Sequence, residues 1–227
     1  MLPNKIGSPY GIGLVIASMI GSGVFISTGF MLQTLSPSEI MLEWIIGGIW
    51  AFCGAIVYVE IATKLPKDGG EVQYVKECID PFLGQIVGVL TLLLGFACPI
   101  AFDALVAASY IQAITQFGHP QILASLIVCL FGCIGIFYSN YNASSIIQQG
   151  LVICKVCIVL SIVVCGFLWM NANDLNTSYE LPTINTLMSS TFLYQQYWVV
   201  YAFSGFNAAI YIASSFRNPE RDLKRSI

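Results

Sequence analysis

Charge is scarce in this chain. Only 9% of its 227 residues are Asp, Glu, Lys or Arg, whereas 57% are hydrophobic and the mean hydropathy is +0.79. These values lie outside the range of soluble domains. The few charges are clustered, and residues 6–38 contain none. The uncharged stretches between clusters are long enough to cross a bilayer, so the sequence predicts a multi-pass membrane protein that contacts the lipid bilayer.

The residues that serve most enzyme chemistry are also few. His119 is the only histidine, and no Ser/His/Asp set, metal-ligand cluster or phosphate-binding loop is present. The sequence therefore predicts no enzyme, no metal site, no cofactor and no nucleic acid partner. A channel is disfavoured as well, because no charged pore lining or filter sequence is apparent. None of the eight cysteines falls in a predicted outer loop, which excludes an external disulfide framework.

The apolar stretches predict an all-α membrane protein. We expect helices at about residues 9–33, 40–63, 82–116, 121–139, 144–169 and 189–216. Together they are expected to form a single transmembrane domain over residues 1–227. Between the second and third helices, the segment after Gly70 predicts a short amphipathic helix on the cytoplasmic surface.

The basic residues predict the orientation. Eight of the nine lie before the first helix, between the second and third, or after the sixth, which is one side of the membrane if six helices alternate. The predicted opposite loops, at about 34–39, 117–120 and 170–188, contain none. The positive-inside rule then predicts that both termini are cytoplasmic, with the plasma membrane as the expected location.

Two apolar helices carry Ser-Gly sequences near their middle. Gly21, Ser22 and Gly23 favour an opening of the first helix, and Ser204-Gly205 does the same in the sixth. Irregular backbone at membrane depth persists only where it is buried in protein or lines a wet cavity. Small residues that merely allow close helix packing are the alternative. However, two breaks in helices of opposite direction, separated by five spans, match an inverted five-helix repeat with a site near the midplane.

Several motifs in order resemble the amino acid–polyamine–organocation (APC) transporters. They are Ile20-Gly21-Ser22-Gly23-Val24-Phe25, Tyr58-Val59-Glu60-Ile61-Ala62, Leu65-Pro66-Lys67-Asp68-Gly69-Gly70-Glu71, Asp80-Pro81-Phe82-Leu83-Gly84, Phe203-Ser204-Gly205-Phe206-Asn207 and Arg217-Asn218-Pro219-Glu220-Arg221. The resemblance implies a LeuT-type fold with a 5+5 inverted repeat and a permease for amino acids. It extends over essentially the whole chain, although Lys224 stands where the family usually has a proline.

The resemblance also implies a substrate site. The substrate carboxylate would bind the backbone N–H groups and serine of Gly21, Ser22 and Gly23. The ammonium would meet carbonyls of Met19, Ile20, Tyr201 and Ser204. Tyr201 would cover the substrate from outside, with Phe206 and Asn207 beside the pocket.

Two deep charges are candidates for a cation site or for proton coupling. Lys155 lies near the midplane, where a lysine costs about 2.5–3.5 kcal/mol unless it finds partners. By the resemblance it takes the place of a sodium ion and binds carbonyls freed at Gly21–Gly23, which implies sodium-independent transport, coupled to protons or by exchange. A snorkelling or structurally paired lysine is the alternative. Asp103 could couple protons or attract a cationic substrate; the alternative is that it pairs with a polar neighbour and serves packing alone. Glu60, at the cytoplasmic end of the second helix, is expected to pair locally with loop groups.

Family members have ten to twelve spans, whereas this chain stops after the sixth. The sequence thus predicts an amino acid transporter truncated after its sixth helix, whose site requires a missing C-terminal half or another membrane subunit. The alternative is a non-transporting remnant or an interaction subunit of a split transporter. The identity of the amino acid, and the choice between uniport, proton symport and exchange, stay open.

Overall fold

The computed structural model describes residues 6–116, 118–137, 141–169 and 182–227. The described helices are α1 (Ser8–Met19), α2 (Ser22–Met31), α3 (Pro37–Lys64), α4 (Glu71–Cys78), α5 (Pro81–Leu90), a π-helix (Thr91–Ala97), α6 (Cys98–Thr115), α7 (Pro120–Phe137), α8 (Tyr141–Trp169), α9 (Ile184–Leu187), α10 (Ser190–Phe203), a 3₁₀ helix (Ala208–Ser215) and α11 (Pro219–Ser226). They lie in and between the six predicted segments, so the all-α fold is confirmed.

Four helical stretches are long and apolar enough to cross a membrane. They are Ser8–Met31, Pro37–Lys64, Pro81–Thr115 and Gln149–Trp169, and Pro120–Gly135 is a shorter apolar helix. The sixth predicted segment is divided, because α10 ends where the backbone breaks. These helices support an integral, multi-pass membrane protein.

Local sequence sets where α3 begins. Ser36 accepts a hydrogen bond from the Glu39 backbone N–H, and the Glu39 carboxylate accepts one from the Ser36 N–H at 2.7 Å. This capping box satisfies two N–H groups at the helix start, and Pro37 fits the first turn, where its missing N–H costs no hydrogen bond. At the other end of α3, Glu60 pairs with Lys64 at 2.7 Å, which confirms its expected local pairing.

The third predicted segment contains an unexpected π-helix. Thr91–Ala97 forms wider turns directly before α6, whose second residue is Pro99. A proline inside a membrane helix lacks an N–H and clashes with the carbonyl four residues earlier, which here is Gly95. The wider π turns precede this proline and relieve that clash without ending the helix.

The helices divide into two compact units. The first comprises Met1–Asp68 and Gln148–Ile227, and the second comprises Gly69–Ile147. In the first unit, α10 packs against α2 and α3, and α11 packs against α1 and α3. In the second, α4 packs on α5, and α6 packs on α7 through Ala104, Ala108 and Ala124. The prediction of a single transmembrane domain stays a prediction.

Candidate functional site at two helix breaks

The first membrane stretch is interrupted at Ile20 and Gly21. Ile20 leaves helical geometry (φ −82°, ψ 79°), and Gly21 is extended (φ −111°, ψ −166°). In a continuous helix the Gly21 N–H would donate to the Ala17 carbonyl, but it donates to the Met19 carbonyl at 3.0 Å. The break thereby frees the Ala17 carbonyl from its helical partner. Beyond the break, α2 begins at Ser22. Its N-cap residue is Gly21, which has no side chain to accept a hydrogen bond from the first N–H groups of the helix.

The sixth segment is interrupted at Ser204 and Gly205. Ser204 is extended in ψ (145°), and Gly205 has φ +102°, a conformation that L-residues with a side chain rarely adopt. Ser204 donates both its N–H (3.1 Å) and its hydroxyl (2.6 Å) to the Tyr201 carbonyl. The chain then continues as the 3₁₀ helix Ala208–Ser215. Both predicted helix breaks are therefore present.

The two breaks lie against each other. A Cβ on Gly205 would come within 2.8 Å of the Ser18 backbone carbon, in the last turn of α1. A Cβ on Gly23 would lie 3.0 Å from the Ala202 Cα and 3.2 Å from the Tyr201 ring. By contrast, no described atom outside its own neighbourhood lies within 4 Å of a Cβ on Gly21. The backbones of the two broken segments thus approach closely before and after Gly21, at Ser18 and at Gly23, whereas the space beside Gly21 is open.

Lys155 reaches this junction from α8. Its Nζ donates a hydrogen bond of 3.1 Å to the Ala17 carbonyl, the group that the first break frees. The side chain is half-buried. The resemblance implied that this ammonium binds carbonyls freed by the break at Gly21–Gly23, and the Ala17 carbonyl is such a group. A helix break exposes carbonyls at the end of the preceding helix and N–H groups at the start of the following one. The part of Lys155 in place of a cation stays a prediction.

A hydrogen bond and a ring contact connect α2 to α10, the helices on the two sides of the junction. The buried Ser27 hydroxyl donates to the Trp198 carbonyl at 2.9 Å. The Trp198 ring stacks on Phe30 with centroids 4.5 Å apart. Ser27 was not predicted from the sequence, because an isolated serine in an apolar helix is common and its partner is a backbone group remote in sequence.

The other predicted site residues are distributed as follows. Met19, Ile20, Ser22, Tyr201 and Asn207 are half-buried around the two breaks, and Ser204 is exposed. The Met19 and Tyr201 carbonyls, predicted to meet a substrate ammonium, already accept the hydrogen bonds described above.

Phe206 directly follows the second break, whereas Asp103 lies on α6. The buried Phe206 ring packs on α3, at 5.8 Å from the Tyr58 ring and 6.1 Å from the Trp50 ring, and so anchors the second break. Asp103 is exposed on α6, in the second compact unit. Its part in proton coupling or substrate attraction stays a prediction.

One end of the first unit is held together by backbone and side-chain hydrogen bonds. The Ile6 N–H donates to the Ser215 carbonyl, and the Arg217 N–H donates to the Ile6 carbonyl, both at 2.9 Å. Asp68 accepts from the Ser214 N–H at 2.9 Å and from its hydroxyl at 2.6 Å. These bonds connect the chain before α1, and the chain after α3, to the segment that follows the second break.

Buried Asp222 adds a third tie at this end. It accepts from the Ser8 hydroxyl at 2.8 Å, from the Asn218 N–H at 3.1 Å and from the Arg221 guanidinium at 3.1 Å. The Ser8 hydrogen bond, followed by those from Asn218 and Arg221, holds the pKa of Asp222 below its usual value and outweighs the opposing effect of burial.

Neither metal nor disulfide chemistry is apparent in the described ranges. There, no group of three or more His, Cys, Asp or Glu side chains is arranged to hold a metal ion. The eight cysteines are exposed, unpaired thiols. The junction of the two breaks thus offers uncapped N–H groups, a lysine ammonium and small residues, a set suited to an ion or a zwitterion.

Comparison with known proteins identifies sequence relatives along the whole chain. Residues 12–227 match the family described as amino acid permease. The human b(0,+)-type amino acid transporter 1 is 27% identical over 100% of this chain and 47% of its own length. The serine/threonine exchanger SteT of Bacillus subtilis is 26% identical, with 51% of its length covered. The mouse large neutral amino acids transporter small subunit 2 is 25% identical, with 44% covered.

This chain spans about half the length of those curated relatives. No solved structure matches it.

Proposed function

Because the chain belongs to the amino acid permease family, we propose that it supplies the two broken helices of a secondary transporter that carries an α-amino acid across a membrane. Its all-α fold, with the first and sixth membrane helices interrupted, is the LeuT-type fold that the sequence predicted. The observation that carries the proposal is the close approach of the two breaks, with Gly205 against Ser18 and Gly23 against Tyr201.

The proposed substrate site lies at Gly21, where the surroundings are open. The substrate carboxylate binds the N–H groups at the start of α2 and the Ser22 hydroxyl, since a helix N-terminus favours negative charge. The substrate ammonium lies on the opposite side of the substrate, at the backbone carbonyls of Ile20 and Ser204. Tyr201, beside Gly23, covers the substrate, and Asn207 lies at the edge. Phe206 holds the second break on α3 and acts on the substrate only through that break.

We assign Lys155 to the place of a cation. Its ammonium donates to the freed Ala17 carbonyl, so that carbonyl already has a charged partner. A second cation at short range is repelled by this ammonium. Transport is therefore proposed to be sodium-independent, with proton coupling or exchange as its mode.

The remaining transporter helices are proposed to come from a further membrane segment. The relatives named above are about twice as long as this chain, and a transport pathway needs protein on both sides of its site. Both termini of this chain are proposed to be cytoplasmic and the membrane to be the plasma membrane, as the basic residues predict.

Binding of labelled amino acids tests the proposal. The chain is reconstituted in lipid nanodiscs, alone and co-expressed with the part of the Bacillus subtilis exchanger that it does not align with. Serine, threonine and a large neutral amino acid form the first panel, because these are named among the relatives' substrates. We expect saturable binding in the co-expressed sample. Absence of binding for every member of a full amino acid panel, in a sample shown to be folded, would overturn the proposal.

Sodium replacement tests the assignment of Lys155. With choline in place of sodium at constant ionic strength, binding by the unmodified protein should be unchanged. Lys155→Ala leaves the Ala17 carbonyl without its ammonium and should weaken binding more than Lys155→Gln, whose amide still donates hydrogen bonds. A steep sodium dependence in the unmodified protein, with little effect of Lys155→Ala, would show that this lysine is structural.

A further inference from the structure

Helix α3 packs in one constant register against α10 and the residues directly after it. Three pairs define it: Ile40 and Phe192 in one buried cluster, Gly47 against Val199, and Gly54 against Phe206. In each pair the second residue is 152 positions after the first, and successive pairs are seven residues apart. A seven-residue repeat of contacts with constant offset is typical of two parallel helices packed side by side.

The same register places Glu43 opposite Gln195. These two residues are also 152 positions apart. Each lies three residues after its member of the Ile40–Phe192 pair and four residues before its member of the Gly47–Val199 pair. Glu43 is 0% exposed and Gln195 is 7% exposed. An acid and an amide therefore form one polar layer within an otherwise apolar helix contact.

The hydrogen bonds of this layer are incomplete on the acceptor side. The Gln195 amide nitrogen donates to the Thr34 hydroxyl at 2.7 Å. Neither carboxyl oxygen of Glu43, nor the Gln195 amide oxygen, has a hydrogen-bond partner among the residues that the structure describes. The layer thus contains three oxygen acceptors to which no donor of the described residues is bonded, the second N–H of the Gln195 amide included, so a donor between Glu43 and the Gln195 oxygen is missing.

One proton on Glu43 supplies that donor. An ionised carboxylate only accepts hydrogen bonds, whereas a protonated one has an O–H that donates. Burying an unpaired carboxylate is costly, and a buried acid avoids this cost by taking up a proton. The neutral acid then donates to the Gln195 amide oxygen and satisfies both residues at once.

Among the described elements packed on α3, none offers a compensating positive charge near Glu43. Segment 22–35 carries no titratable group, and α10 carries only the tyrosines Tyr194, Tyr197 and Tyr201. On α3 itself, Glu39 caps the helix start and Glu60 pairs with Lys64. The 3₁₀ helix carries Tyr211, and α11 carries Glu220, Arg221, Asp222, Lys224 and Arg225. Glu220 and Lys224 of α11 line one pocket with residues between 52 and 64 of α3. This part of α3 is at least about two helical turns from Glu43.

From this geometry we propose that Glu43 is a proton-binding site within the membrane, formed with Gln195 across the α3–α10 contact. The carboxylate takes one proton from water and keeps it in a hydrogen bond to the Gln195 amide oxygen. Release of the proton requires this layer to open to water. The site is independent of the proposed amino acid site, because it rests on the packing of α3 against α10 and not on the helix breaks.

Infrared spectroscopy of the purified chain in lipid nanodiscs tests this site. At neutral pH we expect the carbonyl-stretch band of a protonated carboxylic acid, which moves when glutamate is isotope-labelled. The band should be lost in Glu43→Gln and retained in the matched control Glu60→Gln, whose carboxylate is exposed and paired with a lysine. Loss of the Gln195 acceptor in Gln195→Leu should shift the band to higher frequency, because its hydrogen bond is removed.

Two results would overturn the proposal. Identical acid-band spectra for the unmodified chain and Glu43→Gln would show that Glu43 is ionised. A carboxylate band that shifts on addition of sodium or potassium, with no acid band at neutral pH, would show a monovalent cation in place of the proton. Should Glu43→Gln fail to fold, the isotope-labelled glutamate in the unmodified chain decides: an acid band that does not move on labelling excludes a protonated glutamate.

Discussion

Gly205 combines two requirements that only glycine meets. Its φ of +102° is unfavourable for residues with a Cβ, and a Cβ there would lie 2.8 Å from the Ser18 carbonyl oxygen and carbon. The atoms it would meet include backbone of α1, which cannot move aside as the end of a flexible side chain does. The close approach of the second break to the end of α1 therefore requires glycine at this position.

We predict that Gly205→Ala destabilises the protein by at least about 1–2 kcal/mol, from the positive φ alone. The matched control is Gly29→Ala in α2, where a Cβ meets no described atom within 4 Å. That change should stabilise by about 0.5–1 kcal/mol, because glycine is unfavourable inside a helix. Unfolding in detergent, followed by tryptophan fluorescence, measures both. Equal stability of the two variants would contradict the assigned role of Gly205.

Sequence patterns found some important residues and missed others for physical reasons. Lys155 was found because a charge in an apolar helix is conspicuous, and Gly21 and Gly23 because paired glycines weaken a helix. The packing of Phe206 on α3, and the pairing of Glu43 with Gln195, depend on the register between two helices. Register is a property of tertiary packing, and neither helix encodes it alone.

Among the helices, α11 depends on a buried carboxylate for its attachment to α1. Asp222 receives hydrogen bonds from Ser8 of α1, from the Asn218 N–H and from Arg221, and it is fully buried. Because these bonds favour the ionised form, the pKa of Asp222 is lower in the folded state than its ordinary value of 3.8. Its contribution to stability is complete above that ordinary value and is lost as pH falls through the lower, folded-state value.

We predict a pH-dependent difference between the unmodified chain and Asp222→Asn. At neutral pH the variant, which lacks the charge, should unfold several degrees lower. As pH falls below about 3.8 the difference should shrink, because the unmodified chain then also loses its carboxylate. Thermal unfolding over a pH series measures this, and other titrating groups cancel in the comparison. A difference that stays constant down to the most acidic pH would contradict the prediction.

The helices themselves were largely predictable, since long apolar stretches and Ser-Gly breaks are local signals. The π-helix Thr91–Ala97 was not, because the nearby Pro99 is compatible with several distortions of a helix. Proline permits a kink, a π turn or a tilt of the whole helix, and the surrounding packing decides among them. The 3₁₀ geometry after Gly205 escaped prediction for the same reason.

Eight of the nine basic residues of the chain lie before the first predicted helix, between the second and third, or after the sixth, which predicts the orientation in the membrane. We expect cysteine probes at Gln33 and Lys67, both exposed, to react from opposite sides. After replacement of the eight native cysteines, Gln33→Cys should react with an impermeant reagent added to intact cells. Lys67→Cys should react only after permeabilisation. Labelling with the opposite sidedness would reject the six-helix, cytoplasmic-terminus topology.

The register between α3 and α10 has a further consequence for the second break. The offset of 152 residues holds for Gly47 and Val199 before the break and for Gly54 and Phe206 after it. From Val199 to Phe206, across the break, the chain advances by seven residues, as α3 does from Gly47 to Gly54. The residues before and after the break therefore keep the same register with α3. Insertion of one residue between Phe203 and Phe206 would change the offset of the following segment by one residue and move Phe206 out of register with Gly54. The length of the break is therefore fixed by the packing of its two flanks on α3.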